Sequence, residues 1–292
     1  MRVSIVTISY NQAAYLEHTM LSVLNQTYPD IEYIVIDGGS TDGSQEIIRK
    51  YESRLAYSHS KRDHGSADGL NQGISRTTGE VVSYLNSDDL LAPGAAQTIV
   101  NEFTNHSDAD VVYGDSMEID EHGNEVRVIP SEPFDIAKIF TTWENPVRQP
   151  SAFFKRNVWE RYTGMDQNFP FCYDFEYWIR ISPGVKFRYV PSLLSSSRLH
   201  SQSRSIARQD LQAQDMVAMF EQYRTTPIFL SSGVTENEAR KGLCRVAGEH
   251  YLTAGKKWSA FKTHIEYTKY AFKGIERLYR ILRYIARLLL KS

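Results

Sequence analysis

Short apolar segments of strand length alternate with segments of helical periodicity through the first 115 residues. Four of the apolar segments are Val3–Ser9, Ile31–Asp37, Val81–Leu85 and Asp110–Asp115. Most are apolar throughout, which is typical of strands covered on both faces of a parallel sheet. The segment Ala14–Asn25 between the first two strands has the periodicity of an amphipathic helix. This alternation predicts an α/β fold, in which a Rossmann-like, mostly parallel sheet carries helices on both faces.

Polar side chains follow the predicted strands at the points where they end. The stretch VVSYLNSDDL, residues 81–90, ends in two adjacent carboxylates. Right-handed crossovers bring such strand-end loops to one edge of the sheet, where ligands bind. Two adjacent carboxylates repel each other, so a cation or a polar ligand is expected to offset their charge, although a solvated loop is the simpler alternative. The residues expected at this edge are Tyr10, Asn11, Asp37, Asp42, Asp88 and Asp89.

The composition is that of a globular protein and excludes several classes of function. The 292 residues are 41% apolar and carry a net charge of −2, which argues against a general nucleic-acid partner. Two cysteines, Cys172 and Cys244, indicate no disulfide framework, and a reducing compartment is the natural interpretation. The N-terminal segment lacks the pattern of a signal peptide, and no apolar run reaches 18 residues. We therefore expect a cytoplasmic protein.

Six motifs in a fixed order carry a family resemblance. They are TISYN, VIDGGSTDGS, DHGSADGLNQGI, GEVVSYLNSDD, YDFEYWIRI and RLH, and together they resemble the family 2 inverting glycosyltransferases with the GT-A fold, of the type that builds bacterial polysaccharides and cell-envelope glycans. The resemblance implies transfer of a hexose or N-acetylhexosamine from a nucleotide-diphosphate sugar, with UDP expected as the nucleotide. The acceptor would be a hydroxyl of a glycan or lipid-linked glycan. The resemblance divides the chain into a nucleotide-sugar-binding half (1–115), an acceptor-binding half (116–205) and a helical C-terminal region (206–292).

The same resemblance assigns donor and metal ligands. A divalent cation, Mn²⁺ or Mg²⁺, would neutralise the departing diphosphate. Asn86 stands where many members of the family have aspartate, so it can bind a ribose but brings no charge. Turn or capping roles are the alternatives for Asp37, Asp42 and Asp68, and a plain surface position is the alternative for His200. The implied donor residues are Thr7, Tyr10, Asn11, Asp37, Asp68, Asn86 and Asp88, and the implied metal ligands are Asp88, supported by Asp89, and His200.

Asp174 is the candidate general base. Displacement at the anomeric carbon needs a group that takes the proton of the incoming hydroxyl. Asp174 lies four residues before Trp178, one helical turn away, as the family's base does ahead of its tryptophan. Glu176 is the alternative base, and helix capping is the structural alternative for Asp174. The resemblance places Trp143, Gln149, Glu176 and Trp178 on the acceptor side, while Trp143 could equally belong to the core.

The C-terminal segment is basic and amphipathic. From Lys256 onward there are ten Lys or Arg residues against two acids, Glu266 and Glu276. In Gly274–Lys291 the apolar side chains fall on one helical face and the arginines on the other. Such a helix is typical of a membrane-surface element, and we expect a peripheral position on the cytoplasmic face of the inner membrane. A helix that packs on the catalytic domain is the alternative.

Two other functions are less compatible with the sequence. A sugar nucleotidyltransferase should carry basic residues in the loop after its first strand, and here that loop is SYNQAAY. A non-catalytic binding or scaffold protein on the same fold would be expected to lose the acids at the strand ends, and these acids are present.

Overall fold

The computed structural model describes residues 1–290, and the side chains of all of these except residues 204, 205, 275, 278 and 286–290. The chain forms two compact units. The first comprises residues 1–134 and 146–200, and the second comprises residues 135–145 and the chain from Ser201 onward. The stretch 135–145 therefore groups with the helical region, while residues from both predicted halves of the GT-A domain share the first unit.

The first unit is built on a mixed sheet. The order along the sheet is β3-β2-β1-β4-β8-β6-β9-β5, and β7 pairs with β6 at the side. The block β3-β2-β1-β4 is parallel, as the alternation predicts, whereas β8 runs antiparallel to both of its neighbours. The strands of the described chain are β1 (Val3–Ser9), β2 (Ile31–Asp37), β3 (Tyr57–Ser60), β4 (Val81–Asn86), β5 (Leu90–Leu91), β6 (Val111–Ile119), β7 (Glu125–Ile129), β8 (Ala152–Lys155) and β9 (Phe187–Arg198).

Helices cover both faces of this sheet. Apolar side chains of α1, α2 and α4 pack on one face, and those of α3, α6 and α7 pack on the other. Gly73 of α3 lies so close to the sheet that an added Cβ would stand 2.4 Å from a methyl group of Val6. The helices are α1 (Ala13–Leu24), α2 (Ser44–Tyr51), α3 (Ser66–Ile74), α4 (Ala95–Asn105), α5 (Ile136–Thr142), α6 (Arg156–Tyr162), α7 (Tyr173–Ile181), α8 (Arg204–Ala207), α9 (Gln209–Tyr223), α10 (Pro227–Leu230), α11 (Glu236–Thr253), α12 (Lys257–Ala271) and α13 (Gly274–Leu290).

Strand β9 is longer than its sequence suggests. The apolar pattern ends at Val190, yet the strand continues through a serine-rich stretch to Arg198. It pairs in parallel with β6 over most of this length, and the buried Ser195 hydroxyl lies 3.0 Å from that of Ser116. These tertiary contacts replace the apolar pattern that usually marks a strand, and they carry the chain to Arg198 and His200.

The second unit is helical. Helix α11 begins with a capping box, in which the Thr235 hydroxyl accepts from the backbone of Glu238 and the Glu238 carboxylate accepts from Thr235. Helix α5 lies so close to α11 that a Cβ on Gly242 would overlap the carbonyl of Thr141. The segment 225–234, between α9 and α11, contains the one-turn helix α10. No helix in the described part of the chain has the length and apolar character needed to cross a bilayer.

Candidate functional site

Three adjacent parallel strands end together at one edge of the sheet in the first unit. In the register of β1 with its two neighbours, Ser9 lies opposite Asp37 and Ile8 lies opposite Asn86. The loops that follow these strands carry Tyr10 and Asn11, the glycine-rich turn after Asp37, and the acidic pair after Asn86. The sequence prediction that the strand-end polar residues meet at one edge is thus reproduced for β1, β2 and β4.

Asp37 organises the loop that follows β2. Its carboxylate accepts from the backbone N–H of Ser40 at 2.9 Å and from the hydroxyls of Ser40 and Ser60, both at 2.5 Å. The side chain is fully buried. In this structure Asp37 therefore holds the turn, which is the alternative named for it, and its surface is not open to a base.

Asn11 joins the loop after β1 to the loop after β2. Its backbone is left-handed, with φ of 50°, a conformation that asparagine tolerates better than most residues. The Asn11 N–H donates to the Ser40 hydroxyl at 2.7 Å, and its side-chain oxygen accepts from the N–H of Thr41 at 2.9 Å. Tyr10 beside it is 63% exposed and therefore available to a ligand.

Thr7 does not join this loop surface. It lies within β1, is fully buried, and its hydroxyl is 2.8 Å from that of Tyr33 on β2. The expectation that Thr7 contacts the donor is corrected, because alternate side chains of a strand point to opposite faces and this one points into the core.

Asp68 lies in the first turn of α3. Its carboxylate accepts from the N–H of His64 and from the side chain of Gln72, each at 3.0 Å. Partial burial raises the pKa of Asp68, but these hydrogen bonds outweigh it and leave the pKa below its ordinary value. These contacts tie Asp68 to the preceding loop without capping α3, and its contact with the donor stays a prediction. The neighbouring Asp63 carboxylate packs against Gly38, on the loop that Asp37 organises.

Asp88 and His200 meet although 112 residues separate them. His200 Nε2 lies 2.9 Å from Asp88 Oδ2, and both side chains are largely buried, with 3% and 16% of their surface exposed. The Tyr15 ring of α1 packs against the His200 ring, with 4.6 Å between centroids. The guanidinium of Arg198 lies 5.0 Å from the centroid of the same Tyr15 ring. His200 is therefore buried and held in place at this edge of the sheet, and it is not a plain surface residue.

Arg198 ties the acidic loop to the end of β9. Its backbone N–H donates to Asp89 Oδ1 and its Nε donates to the carbonyl of Asp88, both at 3.1 Å. The Thr19 hydroxyl of α1 also contacts this loop, since it donates to the carbonyl of Asp89 at 2.7 Å. Burial, together with the neighbouring Asp88 carboxylate, raises the pKa of Asp89 well above its ordinary value. Asp89 is thus held inside the protein by Arg198 and Asn86, and its support of a metal bound at Asp88 stays a prediction.

The side chain of Asn86, at the end of β4, contacts that of Gln149, which lies just before β8 begins. Asn86 Nδ2 donates to Gln149 Oε1 at 3.0 Å, and Gln149 Nε2 donates to the carbonyl of Tyr84 at 2.7 Å. Gln149 was expected on the acceptor side, but in this structure both ends of its amide are engaged by strand β4. The amide of Gln149 thus faces β4, and its contact with an acceptor stays a prediction.

Asp174 lies half-buried in the first turn of α7, where the helix N-terminus favours a negative charge. Burial first, then the neighbouring Tyr173, and then the negative charges of Asp174 and Asp89 hold the pKa of Tyr84 well above its ordinary value. The Tyr173 ring, next to Asp174 in the sequence, packs against the Tyr84 ring with 6.4 Å between centroids, which places the start of α7 beside β4.

The other predicted residues of α7 are buried. Trp178 packs in the core under the sheet and is fully enclosed. The Glu176 carboxylate is also fully buried and accepts from Arg180 at 2.8 and 3.1 Å. The expectation that these two side chains bind the acceptor is corrected, because neither presents any surface to solvent. Of the two candidate bases, Asp174 is the accessible one.

Trp143 belongs to the second unit and is a core residue there. It is 1% exposed, its ring contacts Phe140 and Phe220, and its indole N–H donates to the carbonyl of Ala239 at 3.1 Å. The core alternative is therefore the one realised, and the expectation that Trp143 lies on the acceptor side is corrected, because the side chain is enclosed.

A divalent cation fits the chemistry of Asp88 and His200. A carboxylate oxygen and an imidazole nitrogen that already face each other are suitable ligands for Mn²⁺, and phosphate oxygens commonly complete such a shell. In the part of the chain that the structure describes, no group of three or more His, Cys, Asp or Glu side chains could hold a metal by itself.

Sequence reasoning missed several residues that shape this edge. The most important are Tyr15 and Ser60, which contact His200 and Asp37 respectively. Tyr15 lies on the helix after the first strand loop, so its position beside that loop was a usable signal. Ser60 lies on the edge strand β3, and nothing in the sequence pairs it with Asp37.

Comparisons with known proteins agree with this architecture. The chain matches an uncharacterized glycosyltransferase of Rickettsia felis at 28% identity over 211 residues, which is 70% of this chain and 35% of that protein. It therefore spans about a third of the length of that relative. S. aureus TarS 1–349 in complex with UDP-GlcNAc has a similar structure, with a TM-score of 0.64 at 14% identity over 92% of this chain and 81% of the other.

The mannosyltransferase PcManGT from Pyrobaculum calidifontis, solved with GDP-Man and Mn²⁺, gives a TM-score of 0.61 at 19% identity, over 99% of this chain and 80% of the other. These structural likenesses confirm the predicted fold class, a GT-A fold followed by a helical C-terminal region. The family model described as "Glycosyl transferase family 2" matches residues 4–163, more than half of the chain. The chain therefore belongs to glycosyl transferase family 2.

Proposed function

We propose that this chain transfers a hexose or N-acetylhexosamine from a nucleotide-diphosphate sugar to a hydroxyl of a glycan or lipid-linked glycan, with inversion at the anomeric carbon. One observation carries the proposal. The Asp88–His200 pair and the exposed Tyr10 lie in the first unit at the ends of β4, β9 and β1, and the accessible Asp174 follows Tyr173, whose ring packs against Tyr84 of β4. The family membership supports the class of reaction.

The proposed roles follow from the chemistry of each side chain. Asp174 takes the proton of the acceptor hydroxyl as that hydroxyl attacks the anomeric carbon. Asp88 and His200 would hold Mn²⁺ or Mg²⁺, which when bound neutralises charge on the departing diphosphate. Tyr10 and Asn11 border the donor, and Asn86 meets the ribose. Asp37 contributes indirectly, by fixing the loop that forms one wall.

The donor is proposed to be a UDP-sugar. The structure of TarS holds UDP-GlcNAc and that of PcManGT holds GDP-Man with Mn²⁺. Both donors are nucleotide-diphosphate sugars, which supports that class, and the choice of uridine follows from the resemblance in the sequence motifs. A role in polysaccharide or cell-envelope glycan synthesis fits the same resemblance.

We further propose that the second unit holds the protein peripherally on an anionic membrane surface, at the cytoplasmic face of the inner membrane. Helix α13 exposes Tyr279 and Leu282 among the basic residues Arg280 and Arg283. Helix α12 exposes Trp258, the most exposed tryptophan in the described chain. Each basic residue near an anionic leaflet contributes about 1 kcal/mol. The side chains of Leu288 and Leu289, and Lys291, which the sequence assigns to this helix, lie outside the described residues.

A donor screen tests the proposed reaction. The purified chain is incubated with UDP-, GDP- and dTDP-sugars, with and without Mn²⁺ and with lipid-linked acceptors, and nucleotide release is measured. We expect release from a UDP-sugar that depends on the divalent cation. Binding of UDP without release from any donor or acceptor combination would favour a non-catalytic binding protein, the main alternative.

A further inference from the structure

The amide groups of Gln149 and Asn86 form a short chain of hydrogen bonds that starts at the backbone of β4. Strand β8 pairs with β4 only as far as Ser83. Beyond that point no strand of the described residues pairs with β4 on this side, and Gln149 Nε2 donates to the Tyr84 carbonyl at 2.7 Å. Gln149 Oε1 in turn accepts from Asn86 Nδ2 at 3.0 Å.

The backbone carbonyl fixes the orientation of both amides. A carbonyl oxygen can only accept a hydrogen bond, so the group that Gln149 turns toward Tyr84 must be its NH₂. Its oxygen then faces Asn86 and can only accept, so the NH₂ of Asn86 must face Gln149. A carboxyl group such as that of Asp89, 3.2 Å from the same Nδ2, can accept or, when protonated, donate, and would not fix the amide alone.

The side-chain carbonyl is the part of the Asn86 amide that is available to a ligand. Both hydrogens of its NH₂ point into the protein, toward Gln149 and Asp89. The oxygen Oδ1 therefore points away from both of these partners, at the edge where β4 ends. An oxygen in this position accepts from a hydroxyl and repels a phosphate oxygen, so the local chemistry selects a hydroxyl-bearing part of the donor.

We propose that Gln149 is a positioning residue, which holds the Asn86 amide so that its oxygen accepts a hydrogen bond from a ribose hydroxyl of the nucleotide. This role rests on the proposed function, and it differs from the acceptor contact that the sequence suggested for Gln149. Gln149 does not touch the ligand. It acts by preventing a 180° rotation of the Asn86 amide that would turn the NH₂ outward.

Calorimetric titration of the full chain with UDP, 2′-deoxy-UDP and 3′-deoxy-UDP, each with Mn²⁺, tests the proposal. The unaltered chain should bind UDP about five- to tenfold more tightly than one of the deoxy analogues, the effect of one hydrogen bond. Asn86→Ala should reduce this preference to twofold or less. Gln149→Met, which keeps the shape but neither donates nor accepts, should do the same, and adding it to Asn86→Ala should change nothing further.

Controls separate positioning from a general loss of structure. Gln149→Glu is a second variant: it loses the donor toward Tyr84, but its carboxylate still accepts from the NH₂ of Asn86, so it should keep the preference. Gln97→Met removes an exposed glutamine of α4 that contacts Asn101, and it should keep the preference. Loss of affinity for all three nucleotides by the same factor in Gln149→Met would indicate a purely structural role and would overturn the proposal.

The unaltered chain provides a test that needs no variant. Equal affinity for UDP and both deoxy analogues would overturn the role of Asn86 Oδ1, and with it that of Gln149, while leaving the glycosyltransferase proposal intact. Absence of binding to any nucleotide would instead contradict the proposed function itself. The two failures are therefore distinguishable in one set of titrations.

Discussion

Replacing Arg180 with methionine should destabilise the first unit more than replacing its partner Glu176 with glutamine. The Glu176 carboxylate is fully buried, whereas 25% of the Arg180 side chain is exposed. Arg180 also donates to the carbonyls of Tyr162 and Gly164. Removing the arginine takes two hydrogen bonds and the opposite charge from a fully buried acid, whereas removing the acid leaves a partly exposed cation that keeps its two carbonyl partners.

The burial of each charge sets the expected loss of stability for the two variants. Breaking a buried ion pair so that one charge stays unpaired costs about 3–5 kcal/mol, which is the expectation for Arg180→Met. In Glu176→Gln the glutamine oxygen still accepts one N–H of Arg180, so about 1.5–3 kcal/mol is lost, the value of a hydrogen bond to a charged group. A double variant with Glu176→Leu and Arg180→Met should recover part of the loss, because it leaves no buried charge.

Urea unfolding followed by tryptophan fluorescence measures these differences, since Trp178 lies on the same helix as the pair. The matched control is the exposed pair Glu46 and Arg49 of α2, whose side chains are 66% and 64% exposed. Arg49→Met should change the free energy of unfolding by less than about 1 kcal/mol. A larger loss for Glu176→Gln than for Arg180→Met would refute the reasoning from burial.

Variants of Asp174 and Glu176 separate the two candidate bases. Asp174→Asn should lower turnover by about 10²–10⁴-fold with little change in nucleotide affinity, because it removes the proton acceptor and leaves the donor side intact. Glu176→Gln should lose stability and keep most of its turnover at a temperature where it is folded. If Glu176→Gln abolished turnover and Asp174→Asn did not, Glu176 would be the base.

Three further outcomes follow from the structure. Asp88→Ala should abolish the increase in UDP affinity that Mn²⁺ gives to the unaltered chain, and calorimetry with and without the cation measures it; a retained increase would exclude Asp88 as a ligand. Tyr15→Ala should weaken the same Mn²⁺ dependence because His200 loses its packing partner, whereas Tyr15→Phe keeps the ring and should match the unaltered chain. Trp258→Ala should weaken co-sedimentation with vesicles of phosphatidylglycerol and phosphatidylcholine, while vesicles of phosphatidylcholine alone should bind neither form; equal binding of both forms would remove Trp258 from the membrane contact.

Much of the first unit could be predicted from local patterns. The apolar runs at Val3–Ser9 and Ile31–Asp37 became β1 and β2, and the acidic stretch after Val81 lies at the end of β4 as expected. These predictions succeed because a strand buried on both faces needs apolar side chains throughout, and the sequence records that need directly. The pairing of Asp88 with His200 was implied by the family motifs rather than by any local pattern.

Burial within a helix or strand was harder to predict. Thr7, Glu176 and Trp178 lie in motifs that resemble the family's functional segments, yet each points into the core. Sequence spacing places a residue on an element but does not say which face of that element is covered, because coverage depends on segments that arrive from elsewhere in the chain. Trp143 is a similar case, enclosed by side chains of the second unit.

The sequence by itself determined the alternation of strands and helices, the edge at which polar loops gather, and the family. Only the tertiary structure decided which polar side chains contact each other and how those contacts orient them. The orientation of Asn86 depends on Gln149, 63 residues later, and the setting of His200 depends on Tyr15, near the start of the chain. Local periodicity reports which residues share a face of a helix or strand, but the covered face and the direction of each hydrogen bond are set by atoms that meet only after the chain has folded.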